Sequence, residues 1–453
     1  MTEKSVGKTD QPGDQLFISR EEPVAVGEAG RCRSLTPVTT DATQRDCPQA
    51  PISMAAAGPL AESREGVRLT VALVGPGLVG LELLKQLDTH AGPRSRLATE
   101  RGLEVRVVAV ARSGRMCRRG WAEAGESAVA WIERALLSNG GDANGDTTTE
   151  VTDLTAAANH AVAVAEAERG AHPVVVDCTA SSAVPDAVPA LLARGVHVVS
   201  ANKRFPADTP AETVMAAREA ARRAGSFLLH EAACGAGLPV LRTLDELRAT
   251  GDRILRVEGV LSGTLSFLFN GWDGARPFSE AVADAKASGF TEPDPRDDLS
   301  GTDVARKLVV LGRAAGAAKL ELSDVIVESL VPAGACRNAP DAASFLAAFA
   351  ADPAGDAALA ERRASAAAAG KVLRFGGIAD VINGSYSCRL AEYDSNHPFA
   401  SLSNADNVVV FVTERYPASS PLVVRGPGAG AAVTAAGVFG DLVRLSGHLG
   451  GWR

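Results

Sequence analysis

The chain has 453 residues, with 46 Lys and Arg against 54 Asp and Glu, a net charge of −8 and 4% aromatic residues. That length suits two or three domains, and an acidic chain gives no electrostatic basis for binding nucleic acid or an anionic membrane. No apolar run approaches the length that crosses a bilayer. The seven cysteines are odd in number and scattered, with no CxxC pair, which fits free thiols in a reducing, cytoplasmic compartment better than a disulfide framework. The dispersed histidines offer no zinc-ligand spacing.

Residues 1–65 mix both charges with Gly, Pro, Gln and Ser and lack apolar periodicity, so they read as a disordered extension. The apolar centre of a signal peptide is missing, and Glu3, Asp10, Asp14, Glu21 and Glu22 count against a transit peptide. Organelle targeting by this extension stays open.

From Val67, "VRLTVALVGPGLVGLELLKQL" reads as a buried strand, a glycine turn and a helix with leucines at helical spacing. "LEVRVVAVARS", "HPVVVDCTAS" and "ARGVHVVSANKR" read as further strands, the last two ending at Asp177 and at Asn202–Lys203. Helical patterns such as "SSAVPDAVPALLARG" lie between them. Strands alternating with helices predict a Rossmann-type, doubly wound parallel sheet covered on both faces, over residues 66–228. After Phe227 the pattern changes. "ILRVEGVLSG" reads as a strand, "FSEAVADAKASG" and "TDVARKLVVLGRAAG" as helices, and the alanine-rich stretch from Asn338 to Gly370 as helical. Four strands then follow without long helices between them, which predicts an antiparallel α+β domain over residues 229–425. Residues 426–453 form a glycine-rich loop opening one more helix.

Gly75, Gly77 and Gly80 make GxGxxG directly after a strand and at a helix start. Such glycines allow a tight turn, close approach of backbone to a pyrophosphate and close helix–strand packing, while the helix N-terminus offers free N–H groups to phosphate; the alternative is an ordinary packing turn. An NAD site would want an acidic residue at the end of the second strand. Arg112 and Arg115 follow instead, which suits the 2′-phosphate of NADP unless both are solvated loop charges. Lys203 lies past the carboxyl end of a predicted strand, where open parallel sheets bind ligands.

The segment "TEPDPRDDLSGTDVARKLVVLGR" gathers Glu292, Asp294, Asp297, Asp298 and Asp303 ahead of one lysine, Lys307. One reading is structural: Ser300 as N-cap with Asp303 three residues on, and Asp303–Lys307 as a helical i, i+4 pair. The other is chemical: prolines stiffen a loop of carboxylates suited to a substrate ammonium group, and a lysine on the same helix exchanges a proton with a substrate oxygen.

This segment closely resembles the signature of the homoserine dehydrogenase family. So do "EAACGAGLPVLRTLDELRATGDRILRVEGVLSGTLSFLFN", "VVDCTAS", "GVHVVSANKR" and "PLVVRGPGAGAAVTAAGVFGDLVRLSG". The resemblance covers Val67 to the C-terminus and is similar to the dehydrogenase half of bifunctional aspartokinase–homoserine dehydrogenases; neither a kinase half nor an ACT domain is read in these residues.

The resemblance implies interconversion of L-homoserine and L-aspartate 4-semialdehyde with NADP(H), NAD(H) being the second choice, usually by a homodimer. Lys307 and Lys203 become the acid/base pair and Asp303 their orienting group. Glu292, Asp298 and Asp303 hold the amino acid, and Gly263 and Thr264 its carboxylate, although "SGTLS" also fits a Ser/Thr helix cap. Cofactor contacts fall to Gly75, Gly77, Leu78, Val79, Gly80, Arg112, Thr179, Lys203, Gly289 and Gly428. A monovalent cation, Na+, is implied at Glu231, Cys234, Ala236 and Leu238, where a tight glycine turn is the alternative. The sequence departs from the family pattern at Phe290, where tyrosine is usual, at Cys234, where an aliphatic residue is, and at Arg204, where a second lysine is. The competing expectation is a non-catalytic nucleotide-binding relative, which should have lost one of Lys203, Glu292, Asp303 or Lys307; all four are present.

Overall fold

Val67–Val74 forms β1, an apolar strand at the centre of a seven-stranded sheet. The structure is a computed structural model that describes residues 66–450 apart from residues 93–94, 113, 121–126, 135–148, 152–153 and 169; the extension read as disordered lies outside the described residues. β2 (Leu103–Arg112), β3 (Gly114–Arg118), β4 (Thr149–Val151), β5 (Ala171–Asp177), β6 (His197–Ser200) and β7 (Leu228–Leu229) complete the sheet. Their order is β4-β3-β2-β1-β5-β6-β7. β2, β1, β5, β6 and β7 run parallel, whereas β3 and β4 pair antiparallel at one edge, a feature the strand-and-helix alternation did not predict.

Strand alternation divides the side chains between two faces. Leu69, Val71 and Leu73 pack with Leu83, Leu84 and Leu87 of helix Leu78–His90 and with Val438, Leu442 and Leu445 of helix Ala431–His448. Ala72 and Val74 face Ala161, Val188 and Ala217 of helices Leu154–Ala167, Ala183–Ala193 and Ala211–Ala224. The last helix of the chain thus closes one face of the first sheet. Because β2 and β5 flank β1 on opposite sides, the chain changes direction between β1 and β5. That reversal opens a crevice at their carboxyl ends.

The second sheet holds β8 (Ile254–Val260), β9 (Ile326–Val327), β10 (Lys371–Asp380), β11 (Ser385–Asp394), β12 (Asp406–Thr413) and β13 (Leu422–Pro427), in the order β13-β12-β8-β10-β11-β9. It is antiparallel as expected, except that the two-residue β9 runs parallel to β11. Helix Thr302–Ala315 buries Val304, Leu308 and Leu311 in a core shared with Phe375 of β10 and Phe411 of β12. The alanine-rich stretch forms helices Ala342–Ala350 and Pro353–Ala368. No helix among the described residues is long and apolar enough to cross a membrane.

Candidate active site

The glycine loop leaves β1 at the reversal point. Gly75 has φ of 86°, and a Cβ there would stand 2.6 Å from the Thr179 methyl. A Cβ on Gly80 would run into the Gly75 carbonyl, while the space beside Gly77 is open. Two glycines therefore serve backbone packing and the middle one leaves room for a ligand. Gly77 precedes helix Leu78–His90 with no side-chain cap, so the first N–H groups of that helix stay available to an anion. Leu78 is exposed and Val79 half-buried there. Gly75 N–H donates to Ala111 O (3.0 Å), which brings the end of β2 beside the loop. Arg112 then turns into a hairpin and lies opposite Arg115 of β3, both exposed. Like charges placed directly across a ladder repel, and a bound anion would relieve that repulsion.

At the end of β5, buried Asp177 accepts from Thr179 N–H (2.8 Å) and the Thr179 hydroxyl (2.7 Å); burial raises its carboxyl above the usual range despite these bonds. β6 stops at Ser200, two residues short of the sequence-based expectation. The reason is local: Asn202 N–H donates to Ser200 Oγ (3.0 Å), and Arg204 N–H to Asn202 Oδ1 (3.0 Å). This turn aims Lys203 across the cleft.

Lys203 meets Asp303 in an ion pair, and the other Asp303 oxygen lies 2.9 Å from Lys307 Nζ. Burial works to raise the Asp303 carboxyl, but Lys307 and Lys203 outweigh it and hold it well below the usual carboxylate range. Lys307 Nζ also donates to Leu261 O (2.7 Å). An ammonium has three N–H donors, so one is left for a ligand. The capping-box reading of this segment fails. Helix Thr302–Ala315 begins after Gly301, whose φ of 72° is left-handed, with no side-chain cap, and Asp303 turns to the lysines.

The other carboxylates divide by role. Asp294 caps helix Pro295–Leu299 through Arg296 N–H (3.0 Å) and pairs with the Arg296 guanidinium. Asp298 Oδ2 accepts from Glu292 N–H (2.8 Å), and Asp298 Oδ1 lies 2.8 Å from the Thr264 hydroxyl, which is equally close to Phe290 O. Burial raises the Asp298 carboxyl. Ser262, not Thr264, caps helix Gly263–Gly271, accepting from Leu265 N–H (3.2 Å). The Phe290 ring, where the family usually has tyrosine, stacks on Phe267 at 4.0 Å.

These groups line one cleft of about 980 Å³. Its wall includes Lys203, Asp303 and Lys307, the acidic Glu292, Asp297 and Asp298, the backbone of Gly263 and Thr264, and Thr179, Gly289 and Gly428. The glycine loop and Arg112 are not part of that wall. Gly75 adjoins it through Thr179. Among the polar members not assigned to the site from sequence are Asn202 and Arg306, whose Nε lies 2.7 Å from Asp208. Both lie inside segments that carry the family resemblance but were not singled out there as site residues, and only the fold shows their place in the cleft.

The residues assigned to a cation behave differently. Glu231 Oε1 accepts from Val240 N–H (2.6 Å) and Leu241 N–H (2.7 Å), and Oε2 from Arg242 N–H (2.9 Å). Its carboxylate thus caps helix Leu241–Ala249, with Arg444 3.4 Å away. Cys234 is buried, and its thiol is pushed up to about 12 chiefly by burial. Ala236 lines the cleft with φ of 54°, a conformation alanine rarely holds, and Leu238 O accepts from Val240 N–H (2.8 Å). The backbone oxygens are of the right type for a monovalent ion, but the Glu231 carboxylate is already engaged. Among the described residues, no group of three or more His, Cys, Asp or Glu could hold a metal.

A glycine loop at the reversal of a parallel sheet, adjoining a cleft that Lys203 of that sheet shares with Lys307 and carboxylates of the second sheet's helices, defines a dinucleotide-binding protein with a polar cleft. Residues 75–231 match the family model "Homoserine dehydrogenase, NAD binding domain", and residues 239–443 match "Homoserine dehydrogenase". The chain is 42% identical over 384 residues to the bifunctional aspartokinase/homoserine dehydrogenase 1, chloroplastic, of Zea mays, covering 84% of this chain and 39% of that protein. It is 45% identical over 278 residues to the homoserine dehydrogenase of Schizosaccharomyces pombe, covering 60% of this chain and 72% of that one. A crystal structure of a Candida auris protein of unknown function superposes with a TM-score of 0.72 at 32% identity, over 84% of this chain and 98% of that one. The chain belongs to the homoserine dehydrogenase family, and it spans less than half the length of the plant relative.

Proposed function

We propose that the protein is a homoserine dehydrogenase, an oxidoreductase that interconverts L-homoserine and L-aspartate 4-semialdehyde in threonine and methionine biosynthesis. The observation that carries this reading is the Lys203–Asp303–Lys307 arrangement in the wall of a cleft lined by charges of both signs. Reduction of an aldehyde builds negative charge on its oxygen, and a fixed ammonium stabilises that charge and supplies the proton. The cofactor, when bound, supplies the hydride.

Lys307 is the donor of this reading. Two of its N–H groups are taken by Asp303 and Leu261 O, which fix the direction of the third. Lys203, held by the same carboxylate, faces the cleft beside it and polarises the carbonyl or relays the proton. Asp303 keeps both amines in place. Glu292, Asp298 and Asp303 receive the substrate ammonium group, and the Gly263 and Thr264 N–H groups its carboxylate. The Thr264 hydroxyl takes no part in that contact, because it is turned to Asp298 and Phe290 O. A non-catalytic relative is not favoured, since every polar group the chemistry needs meets in one cleft.

NADP(H) is the preferred cofactor of this reading, on the strength of the opposed Arg112 and Arg115 beside the glycine loop; NAD(H) is the weaker one. A monovalent cation, Na+, belongs at the backbone oxygens of Cys234, Ala236 and Leu238, with Glu231 supplying charge rather than a free ligand oxygen. The same reading includes a homodimer, a cytoplasmic location, a nucleotide domain over residues 66–228, a substrate and dimerisation domain over residues 229–425, and a C-terminal segment 426–453 returning to the nucleotide domain.

The test is homoserine-dependent reduction of NADP at alkaline pH, followed by absorbance. Lys307→Ala should lower turnover by about 100- to 10,000-fold with NADPH affinity retained. Near-native turnover in that variant would remove the role assigned here to Lys307.

A further inference from the structure

Asn407 is the second residue of β12 and is fully buried. β12 pairs antiparallel with β8 so that Val408 lies opposite Val260, which sets Asn407 beside Leu261, the residue that leaves β8 for the cleft. Asn407 Nδ2 donates to Leu261 O (3.2 Å), the same carbonyl that accepts from Lys307 Nζ (2.7 Å). A carbonyl oxygen has two lone pairs, and both are occupied here, one by the amide and one by the ammonium. Asn407 Oδ1 has no hydrogen-bond partner among the described residues. An unsatisfied polar atom in a core is costly, and an apolar residue of similar size would avoid the cost. Packing alone therefore does not account for an asparagine here.

The same side chain, itself behind the cleft wall, also packs against a residue of that wall, Gly428. A Cβ placed on Gly428 would overlap the Asn407 amide nitrogen and its carbon. Gly428 has a negative φ, so backbone conformation does not demand glycine; the Asn407 amide does. Gly428 and Gly430 line the cleft just before helix Ala431–His448, the helix that packs on the first sheet.

We propose that Asn407 is a positioning residue that sets Lys307 and the Gly428 loop against each other, holding the lysine's carbonyl anchor with its N–H and the loop's path with its bulk. The proposal rests on the homoserine dehydrogenase reading and extends it to a residue that need not touch substrate. An ammonium anchored through Leu261 O keeps its direction only while that carbonyl is held. The loop that faces the cofactor approaches only as closely as the amide allows.

Two sets of variants test this with the full chain. Asn407→Asp preserves shape but replaces the donor with an acceptor. It should lower kcat by about 10- to 100-fold, with the NADPH dissociation constant, read by nicotinamide fluorescence, within about threefold of wild type. A kcat equal to wild type overturns the anchoring role, and equal losses in kcat and NADPH affinity mark a merely structural one. Gly428→Ala should weaken NADPH binding by about tenfold or more, and adding Asn407→Ala should restore affinity to within about threefold while kcat stays low. A double variant that binds no better than Gly428→Ala overturns the coupling. Because the NADPH affinities of the second set can be read without turnover, they decide the coupling even if the wild-type protein turns over no homoserine, a result that would instead end the functional reading.

Discussion

Asp303 accepts from two ammoniums that arrive from different sheets, Lys203 past the end of β6 and Lys307 one helical turn along its own helix. Its carboxyl lies well below its unfolded value of about 3.8, where burial alone would have raised it. A carboxylate depressed in this way adds stability at pH above its unfolded value, and loses it as pH falls toward the folded one. Asp303→Asn should therefore soften the fall in Tm on acidification below about pH 4, measured by thermal denaturation across pH. It should also lower turnover by about 100-fold, because both lysines lose the group that orients them. The i, i+4 spacing of Asp303 and Lys307 was legible in the sequence. The partner that makes it more than a helical pair, Lys203, stands one hundred residues away; its strand-end position marked it as a ligand-site candidate, but only the resemblance joined it to Asp303.

At the scale of elements, the junction between the turn 231–238, helix Leu241–Ala249 and helix Ala431–His448 depends on buried carboxylates. Glu231 caps the first helix with both oxygens, its own N–H donates to Asp441 Oδ2 (2.8 Å), and Arg444 lies 3.4 Å from Glu231 and 3.8 Å from Asp441. Glu231→Ala should cost about 2 kcal/mol of stability in choline buffer, because capping requires no ion, and more in sodium buffer, where the charge that balances the cation is lost as well. An equal loss in the two buffers would remove the cation from the proposal and leave capping alone. Burial pushes Asp441 up to about 7, against the pull of the Glu231 N–H and Arg444. A carboxyl raised on folding favours the folded state fully below its unfolded value, and that advantage disappears as pH rises toward about 7. Wild-type stability should fall between about pH 5 and pH 8, by an amount on the order of 3 kcal/mol, and Asp441→Asn should flatten that fall. Denaturant titrations at the two pH values measure it. Helix Ala431–His448 was legible behind its glycine-rich loop, whereas helix Leu241–Ala249 was not read from the sequence. The carboxylates that join them were not legible, because one buried acidic residue in a helical pattern carries no sign of its partner.

At the scale of the whole molecule, the reversal of strand order and the return of the C-terminal helix bring residues 75–80, 177–203, 261–307 and 428–434 to adjoining places. The cofactor end of this assembly is marked by Arg112 and Arg115, opposed across the β2–β3 hairpin. Replacing both by alanine should shift the ratio of kcat/KM for NADP over NAD by about 10- to 100-fold toward NAD. Added salt should raise the wild-type KM for NADP more than that for NAD. An unchanged ratio would mean that the two arginines are solvated charges. The sequence by itself determined what depends on neighbours along the chain: the glycine loop, the alternating strands, the change from a parallel to an antiparallel pattern, and the carboxylate run with its lysine. Tertiary structure alone decided the antiparallel edge of the first sheet, the share of Glu231 in capping, the meeting of Lys203 and Arg306 in one cleft, and the place of Asn407 behind its wall. Those outcomes follow from strand register and side-chain packing between segments far apart in the chain, and no local pattern encodes them.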